Sequence, residues 1–197
     1  DIFVGDLRPE YLPLMPNLRF VQLYSAGANR FSWLPEEITL ANAYGAYGDS
    51  IAEHMITTVL MAMKRMPEYH DMQQRQEWEF LHDILRFEGS KVLSVGMGSI
   101  GTSFLRKASA LGAACYGVRR TIHDQPPFVE RLVTPDEMDA MLPEMDVVAL
   151  SLPGTKAVEG MFDGRRLRLM KKSAILVNVG RGYSVVTEDL LRVTENG

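Results

Sequence analysis

Cysteine is almost absent from this sequence of 197 residues. Cys115 is the only one, so no internal disulfide can form, and a reducing, cytoplasmic setting is expected. Its simplest reading is a small buried apolar side chain. Long apolar runs are missing too. The longest, Val59 to Met63, is far too short to cross a bilayer. The start, Asp1-Ile2-Phe3, shows no basic segment and no small-residue cleavage site, so no secretory signal is read there. Positive charge is not in excess: 21 Lys+Arg against 25 Asp+Glu give a net charge of −4. A general nucleic-acid binder needs a dense cationic surface, and this balance argues against one. There is no repeat, no low-complexity tract and no His/Cys cluster at metal-ligand spacing, so no metal site is expected.

What is present is ordinary for a globular protein, with 46% hydrophobic and 23% charged residues. The 12 methionines read as adaptable core filler. Apolar runs and helical patterns alternate. Strands are predicted at Ile2-Phe3-Val4, Leu18 to Tyr24, Ile38 to Ala41, Lys91 to Val95, Ala113 to Val118, Val129 to Val133, Asp146 to Leu152 and Ala174 to Asn178. Several lack polar alternation, as expected of a parallel sheet covered on both faces. Helices are predicted from about Ile51 to Arg65, before Pro67, and at Thr102 to Leu111, Pro135 to Met141 and Gly164 to Met170. Asp49-Ser50 supplies a polar start for the first, and Gly112 suits a left-handed stop for the second. Residues 68 to 90 look polar and helical, with Trp78, Phe80 and Leu81 as packing anchors.

Gly96-Met97-Gly98-Ser99-Ile100-Gly101 has the G-x-G-x-x-G pattern, entered by an apolar strand and left by an amphipathic helix. In that context each glycine has a task. Gly96 permits the tight turn, Gly98 lets a pyrophosphate approach the backbone, and Gly101 allows the helix to pack close to the strand. Amides near Ser99 and Ile100 then face the anion. About twenty residues on, where an acid would bind an adenosine ribose hydroxyl, the chain reads Arg119-Arg120-Thr121. A carboxylate repels a 2′-phosphate, whereas guanidinium groups pair with it. NADP(H) is therefore expected over NAD(H). A solvated pair of loop charges is the plainer alternative.

Three more motifs follow the same order. They are Ser25-Ala26-Gly27-Ala28-Asn29, Ser151-Leu152-Pro153-Gly154-Thr155 and Asn178-Val179-Gly180-Arg181-Gly182, with Ala52-Glu53-His54 on the long helix. With the glycine turn, this set resembles the D-isomer-specific 2-hydroxyacid dehydrogenases, in particular the NADPH-type reductases of glyoxylate and hydroxypyruvate. The resemblance spans about Ile2 to Leu191. It implies an α/β fold: a doubly wound, Rossmann-type parallel sheet plus a partial flavodoxin-like substrate domain. Residues 1–48 would belong to the substrate domain, 49–88 to inter-domain helices and 89–197 to the dinucleotide-binding domain. Arg181 would be the catalytic arginine, holding the carboxylate of a small 2-oxoacid and polarising its carbonyl. Ala26 and Gly27 would offer amides to that carboxylate. Leu152, Pro153 and Val179 would line the nicotinamide side, and a homodimer would form through the dinucleotide-binding domain.

In that family a histidine oriented by a glutamate delivers the proton, and both lie beyond the strand ending in Asn178 to Gly182. The sequence stops at Gly197, before either. His54, His70, His82 and His123 are poor substitutes by position: the first is on the inter-domain helix, the next two lie before the glycine turn, and His123 belongs at the adenosine end. Chain is expected to be missing at both ends. A catalytically incomplete NADP(H)-binding module, or a corepressor-like regulator, is the alternative function.

Overall fold

The computed structural model describes residues 1–122 and 124–195. The chain divides into two compact units, Asp1–Tyr47 and Gly48–Gly197. In the first, β1 (Ile2–Val4), β2 (Phe20–Gln22) and β3 (Thr39–Ala41) form a parallel sheet in the order β1-β2-β3. Its core gathers Leu7, Leu18, Val21, Leu23 and Phe31. The connections hold single 3-10 turns, Pro9–Leu14 and Asn29–Phe31, in place of full helices. Pro13 removes an amide donor that an α-helix would use there, whereas Pro9, in the first position, costs none.

The second unit contains α1 (Gly48–Met63), α2 (Met66–Gln74), β4 (Lys91–Val95), α3 (Ser99–Ala110), β5 (Ala114–Val118), β6 (Arg131–Val133), β7 (Val147–Leu150), α4 (Gly164–Leu169), β8 (Ile175–Asn178) and α5 (Thr187–Glu195). Its strands are all parallel, in the order β6-β5-β4-β7-β8. This is the doubly wound order. Side chains alternate across the sheet. Val92, Cys115, Val147 and Ala149 meet α1 and α3 on one face. Leu93, Val95, Val148 and Leu150 meet Met138, Leu142, Phe162 and Leu167 on the other. The strands read as mainly apolar runs because both faces are covered.

Helix α3 shows how sequence sets a boundary. Gly112, at φ +85°, lies just past its end. The Gly112 amide donates to the Ser109 carbonyl at 2.9 Å and the Ala113 amide to the Ala108 carbonyl at 3.1 Å. These are the paired bonds of a Schellman stop, which a left-handed glycine permits. Phe104, on the same helix, is fully buried among Val92, Leu105 and the residues of α1. Phe104→Ala is expected to lower the unfolding free energy by about 3–5 kcal/mol, through lost apolar transfer and the void left behind. Urea denaturation of both chains measures this. A loss below about 1 kcal/mol would mean that the core collapses around the gap.

Several expectations change. Residues 75–90 carry no helix, and Trp78 is 100% exposed and Phe80 74%. Leu81 is only partly covered. The buried anchor of this stretch is Phe87, on the α1–α3 core. Helix α1 begins at Gly48 and ends at Met63. Arg65 then takes a left-handed φ of 52°, and α2 starts with Pro67 in its first turn, where a missing amide costs nothing. The helix expected at Pro135 to Met141 is a pair of 3-10 turns, Met138–Ala140 and Leu142–Glu144. Helix α5, which the sequence reading does not contain, places Leu190 and Val193 on the second core face. Cys115 is buried, its thiol donating to the Leu105 carbonyl at 3.3 Å. Burial, with Glu130 nearby, pushes its pKa up to about 12, so it stays a protonated core side chain. No helix among the described residues is long and apolar enough to cross a membrane, and none of their His, Cys, Asp or Glu groups could hold a metal ion.

Candidate active site

Because the strands of the second unit run parallel, their carboxyl ends share one edge. The loops Gly96–Gly98, Arg119–Thr121, Ser151–Gly154 and Val179–Gly182 all leave from it. The chain turns one way after β4, toward β5, and the other way after β7, toward β8. Open sheets of this kind bind ligands at that divide.

The glycine loop sits on the divide. Gly96 has φ +102°, and a Cβ there would lie 2.7 Å from the Ser151 carbonyl oxygen. Its amide donates to the Val118 carbonyl at 3.0 Å. Gly98 caps α3 in an extended conformation, with no side chain accepting from the first turn. The first helical bond runs from the Thr102 amide to the Gly98 carbonyl, at 3.0 Å. The amides of Ser99, Ile100 and Gly101 precede it and have no intrahelical acceptor. Among the described residues, the Met97 and Gly98 amides also lack acceptors. A Cβ on Gly101 would overlap the Gly96 carbonyl oxygen and come within 2.6 Å of Ser94 Oγ and 2.8 Å of Ser151 Oγ. So the helix approaches the loop as closely as glycine allows. Gly48, at the start of α1, meets Ser99 in the same way.

Beside this loop, β5 ends at Val118. The Arg119 amide donates to the Val133 carbonyl at 3.1 Å, which fixes the backbone. Arg119 is half-buried, while Arg120 and Thr121 are exposed. Neither guanidinium is paired with a carboxylate among the described residues. The contrast with Arg165 and Arg166 is informative. Both are hydrogen-bonded to Asp139, at 2.6 and 2.7 Å. Burial alone would raise the Asp139 carboxyl, but those two cations hold it below the usual range. Arg165 and Arg166 are thus neutralised in place, and the two arginines at the end of β5 are not.

At the end of β8, Asn178 braces the turn. Its Oδ1 accepts from the Gly180 amide at 3.0 Å, and its Nδ2 donates to the Arg181 carbonyl at 3.0 Å. Ser184, fully buried, donates to the same carbonyl at 2.7 Å. Arg181 is exposed, and among the described residues its guanidinium bonds only to the neighbouring Gly180 carbonyl, at 3.2 Å. A Cβ on Gly180 would stand 2.9 Å from the Leu152 amide nitrogen and oxygen, so this glycine lets the two loops touch. Gly182 has open space around it. Leu152 packs on the second core face and Val179 on the first, and Pro153 is exposed in the loop after β7.

Ala26 and Gly27 lie in the first unit, in the loop after β2. The Ala26 carbonyl accepts from Asn42 Nδ2 at 3.0 Å, and the Gly27 carbonyl from Ser25 Oγ at 3.2 Å. The amides of both residues have no acceptor among the described residues. His54 and His70 sit on helices and His82 follows α2, so none belongs to the carboxyl edge. His123 lies outside the described residues.

The loop fits a dinucleotide. A cradle that any Cβ would fill, backed by a row of amides without acceptors, is what an anionic pyrophosphate requires. Residues 56–197 match the D-isomer specific 2-hydroxyacid dehydrogenase, NAD binding domain family. The chain belongs to that family. It is 30% identical to a glyoxylate reductase of Thermococcus kodakarensis, over 95% of this chain and 60% of that protein. A crystal structure of a D-isomer specific 2-hydroxyacid dehydrogenase family protein from Aeromonas salmonicida superposes with a TM-score of 0.89 at 26% identity, covering 100% of this chain and 64% of that one. D-Lactate dehydrogenase from Aquifex aeolicus, solved with NAD and lactic acid, gives 0.81 at 25% identity, over 100% and 61%. This member of the family thus spans under two thirds of these relatives' length.

Ser94, Ser151, Asn178 and Ser184 have no role that their spacing along the chain marks. One signal is available: Ser94 is the single polar residue between Val92 and Val95, in a strand that is otherwise apolar to its end.

Proposed function

We propose that this chain carries the cofactor-binding and carboxylate-binding parts of a reductase that moves a hydride between NADP(H) and a small 2-oxoacid or D-2-hydroxyacid. The observation that carries the reading is Arg181. It is exposed, has no ionic partner among the described residues, and is held by Asn178 and Ser184 at the same sheet edge as the glycine loop.

When bound, the nicotinamide supplies the hydride. Gly96, Gly98 and Gly101 leave room for the pyrophosphate, and the amides of Met97 to Ile100 hold it. Arg119, Arg120 and Thr121 hold the 2′-phosphate. An NAD complex within the family means that the dinucleotide is common ground, and the 2′-phosphate is where this chain's own choice is read. Leu152, Pro153 and Val179 line the nicotinamide side. The Arg181 fork grips the substrate carboxylate and draws electron density from the carbonyl. Ala26 and Gly27, whose amides have no acceptor among the described residues, are the residues of the first unit proposed to bind the substrate carboxylate. By the resemblance, the proton-donating histidine and its glutamate would lie beyond Gly182. Residues 1–48 act as the substrate part, 49–88, helical as far as Gln74, as the inter-domain segment and 89–197 as the dinucleotide part. A homodimer through that last part, in the cytoplasm, completes the proposal.

The test is NADPH oxidation with glyoxylate and with hydroxypyruvate, on this chain and on any longer parent polypeptide. The proposal expects oxidation by the polypeptide that carries the histidine segment. Tight cofactor binding without turnover in either would move the assignment to a binding module. Arg181→Lys keeps the charge but loses the planar fork, and should lower kcat/KM about 10- to 100-fold, mostly through KM for the oxoacid.

A further inference from the structure

Two serine hydroxyls converge on one carbonyl of the glycine loop. Ser94 Oγ, from inside β4, donates to the Gly96 carbonyl oxygen at 3.0 Å. Ser151 Oγ, from the loop after β7, donates to the same oxygen at 2.9 Å. Ser94 is fully buried, and among the described residues its hydroxyl makes no other hydrogen bond. The two hydroxyls come from opposite sides of the divide where the chain's direction reverses. They occupy the space that a Gly101 side chain would need.

The consequence is geometric. A peptide group is planar, and no cis peptide occurs among the described residues. In a trans peptide the carbonyl of one residue and the amide of the next point in opposite directions. The serines draw the Gly96 carbonyl inward, toward β4 and β7. The Met97 amide of the same peptide must therefore point outward. It has no acceptor among the described residues, and it stands first in the row of amides that runs through Gly98 into α3. Without the two hydroxyls, the positive φ of Gly96 would leave this peptide free to rotate, because glycine resists rotation less than any other residue.

We propose that Ser94 and Ser151 are positioning residues that clamp the Gly96 carbonyl and so aim the Met97 amide at the cofactor pyrophosphate. The proposal rests on the dinucleotide reading above, but not on the preference for NADP(H) within it. The clamp acts on the part that NADPH and NADH share. A second inference comes with it. Ser151 leaves β7 directly ahead of Leu152 and Pro153, so one hydroxyl ties the pyrophosphate loop to the loop assigned to the nicotinamide side.

The test uses the 197-residue chain, with Ser94→Ala, Ser151→Ala and the double variant. Dissociation constants are measured for NADPH, NADH and adenosine 2′-monophosphate, which carries a 2′-phosphate but no pyrophosphate. Each single variant should weaken both dinucleotides by the same factor, about five- to tenfold, the worth of one hydrogen bond. The double variant should lose more than either. Affinity for adenosine 2′-monophosphate should hold within about twofold, since that ligand never meets the clamp. Ser151→Thr, which keeps a hydroxyl, should recover most of the loss. Unchanged dinucleotide affinity in the double variant overturns the proposal. So does an equal loss for all three ligands, which would mean general damage to the unit. A wild-type chain that binds neither dinucleotide overturns the clamp together with the cofactor reading. A wild-type chain that binds NADH as well as NADPH, with both weakened by the alanines, leaves the clamp standing and removes only the NADP(H) preference.

Discussion

Gly101→Ala is expected to abolish measurable cofactor binding and to cost the second unit about 3 kcal/mol of stability. One methyl group suffices. It would overlap the Gly96 carbonyl oxygen and crowd the Ser94 and Ser151 hydroxyls within 2.6 and 2.8 Å. None of these can give way cheaply. The carbonyl is backbone, Ser94 is sealed inside β4, and α3 is anchored by the buried Phe104 and Leu105. The helix start or the glycine loop must move by a large fraction of an ångström, and the amides that face the pyrophosphate move with it. Dissociation constants for NADPH and NADH should both rise by more than about 100-fold, because positioning errors on this scale erase several charge-assisted hydrogen bonds together. Gly182→Ala is the matched control. Nothing stands within 4 Å of its Cβ, and its φ is not in the left-handed range, so binding and stability should stay near wild type. Wild-type affinity in Gly101→Ala would mean that the loop is not the pyrophosphate site.

Arg119→Asp is expected to shift the proposed NADP(H) preference toward NAD(H). The side chain leaves the end of β5 from a backbone fixed by the bond to Val133, and among the described residues it has no carboxylate to neutralise it. Losing a charge-assisted contact to a 2′-phosphate costs about 1.5–3 kcal/mol, and the new carboxylate adds repulsion of similar size. The same carboxylate can accept from the two ribose hydroxyls of NAD(H). The ratio of the two dissociation constants should therefore swing about 1,000-fold toward NAD(H), with most of the change on the NADPH side. Arg120→Ala should give a smaller shift in the same direction, since that side chain is more exposed. Raising the salt from about 0.05 to 0.5 M should narrow the preference of the wild-type chain, because paired surface charges are screened over that range. An Arg119→Asp variant that still prefers NADPH would return both arginines to the role of solvated loop charges.

Much of this site is legible in the sequence because it depends on local rules. A mainly apolar run ending in glycine marks β4, and every residue from Lys91 to Val95 is in the strand. Gly112 marks the end of α3 for the same reason: a left-handed stop needs a glycine, and the bonds it frees are satisfied in place. The failures come where structure depends on what a side chain packs against. Trp78 and Phe80 are apolar and read as covered, yet the segment around them has no helical stripe to seat them, and Phe87 anchors it instead. Polar composition is a weak guide to helix when no apolar face follows the helical period. Helix α5 escapes because its two core contacts, Leu190 and Val193, make too short a pattern to read. The braces around the loops escape for another reason. Ser94, Ser151, Asn178 and Ser184 act through hydrogen bonds to backbone carbonyls. The Ser151 partner is fixed by the order of the strands, and the other three, two or three residues along the chain, by the way the backbone turns after β4 and β8. The unpaired state of Arg119 and Arg181 is likewise invisible until acids of the fold, such as Asp139 and Asp49, are seen to be taken by other cations.

The claim that joins these observations is that the carboxyl edge of this sheet holds a dinucleotide and selects its 2′-phosphate. Equilibrium titration of the 197-residue chain with NADPH and with NADH, followed by the emission of the reduced nicotinamide, tests it most directly. The account predicts saturable binding of both, with NADPH tighter by about tenfold or more, in line with at least one charge-assisted bond to the extra phosphate. Binding of NADH equal to or tighter than that of NADPH, or no binding of either, would contradict it.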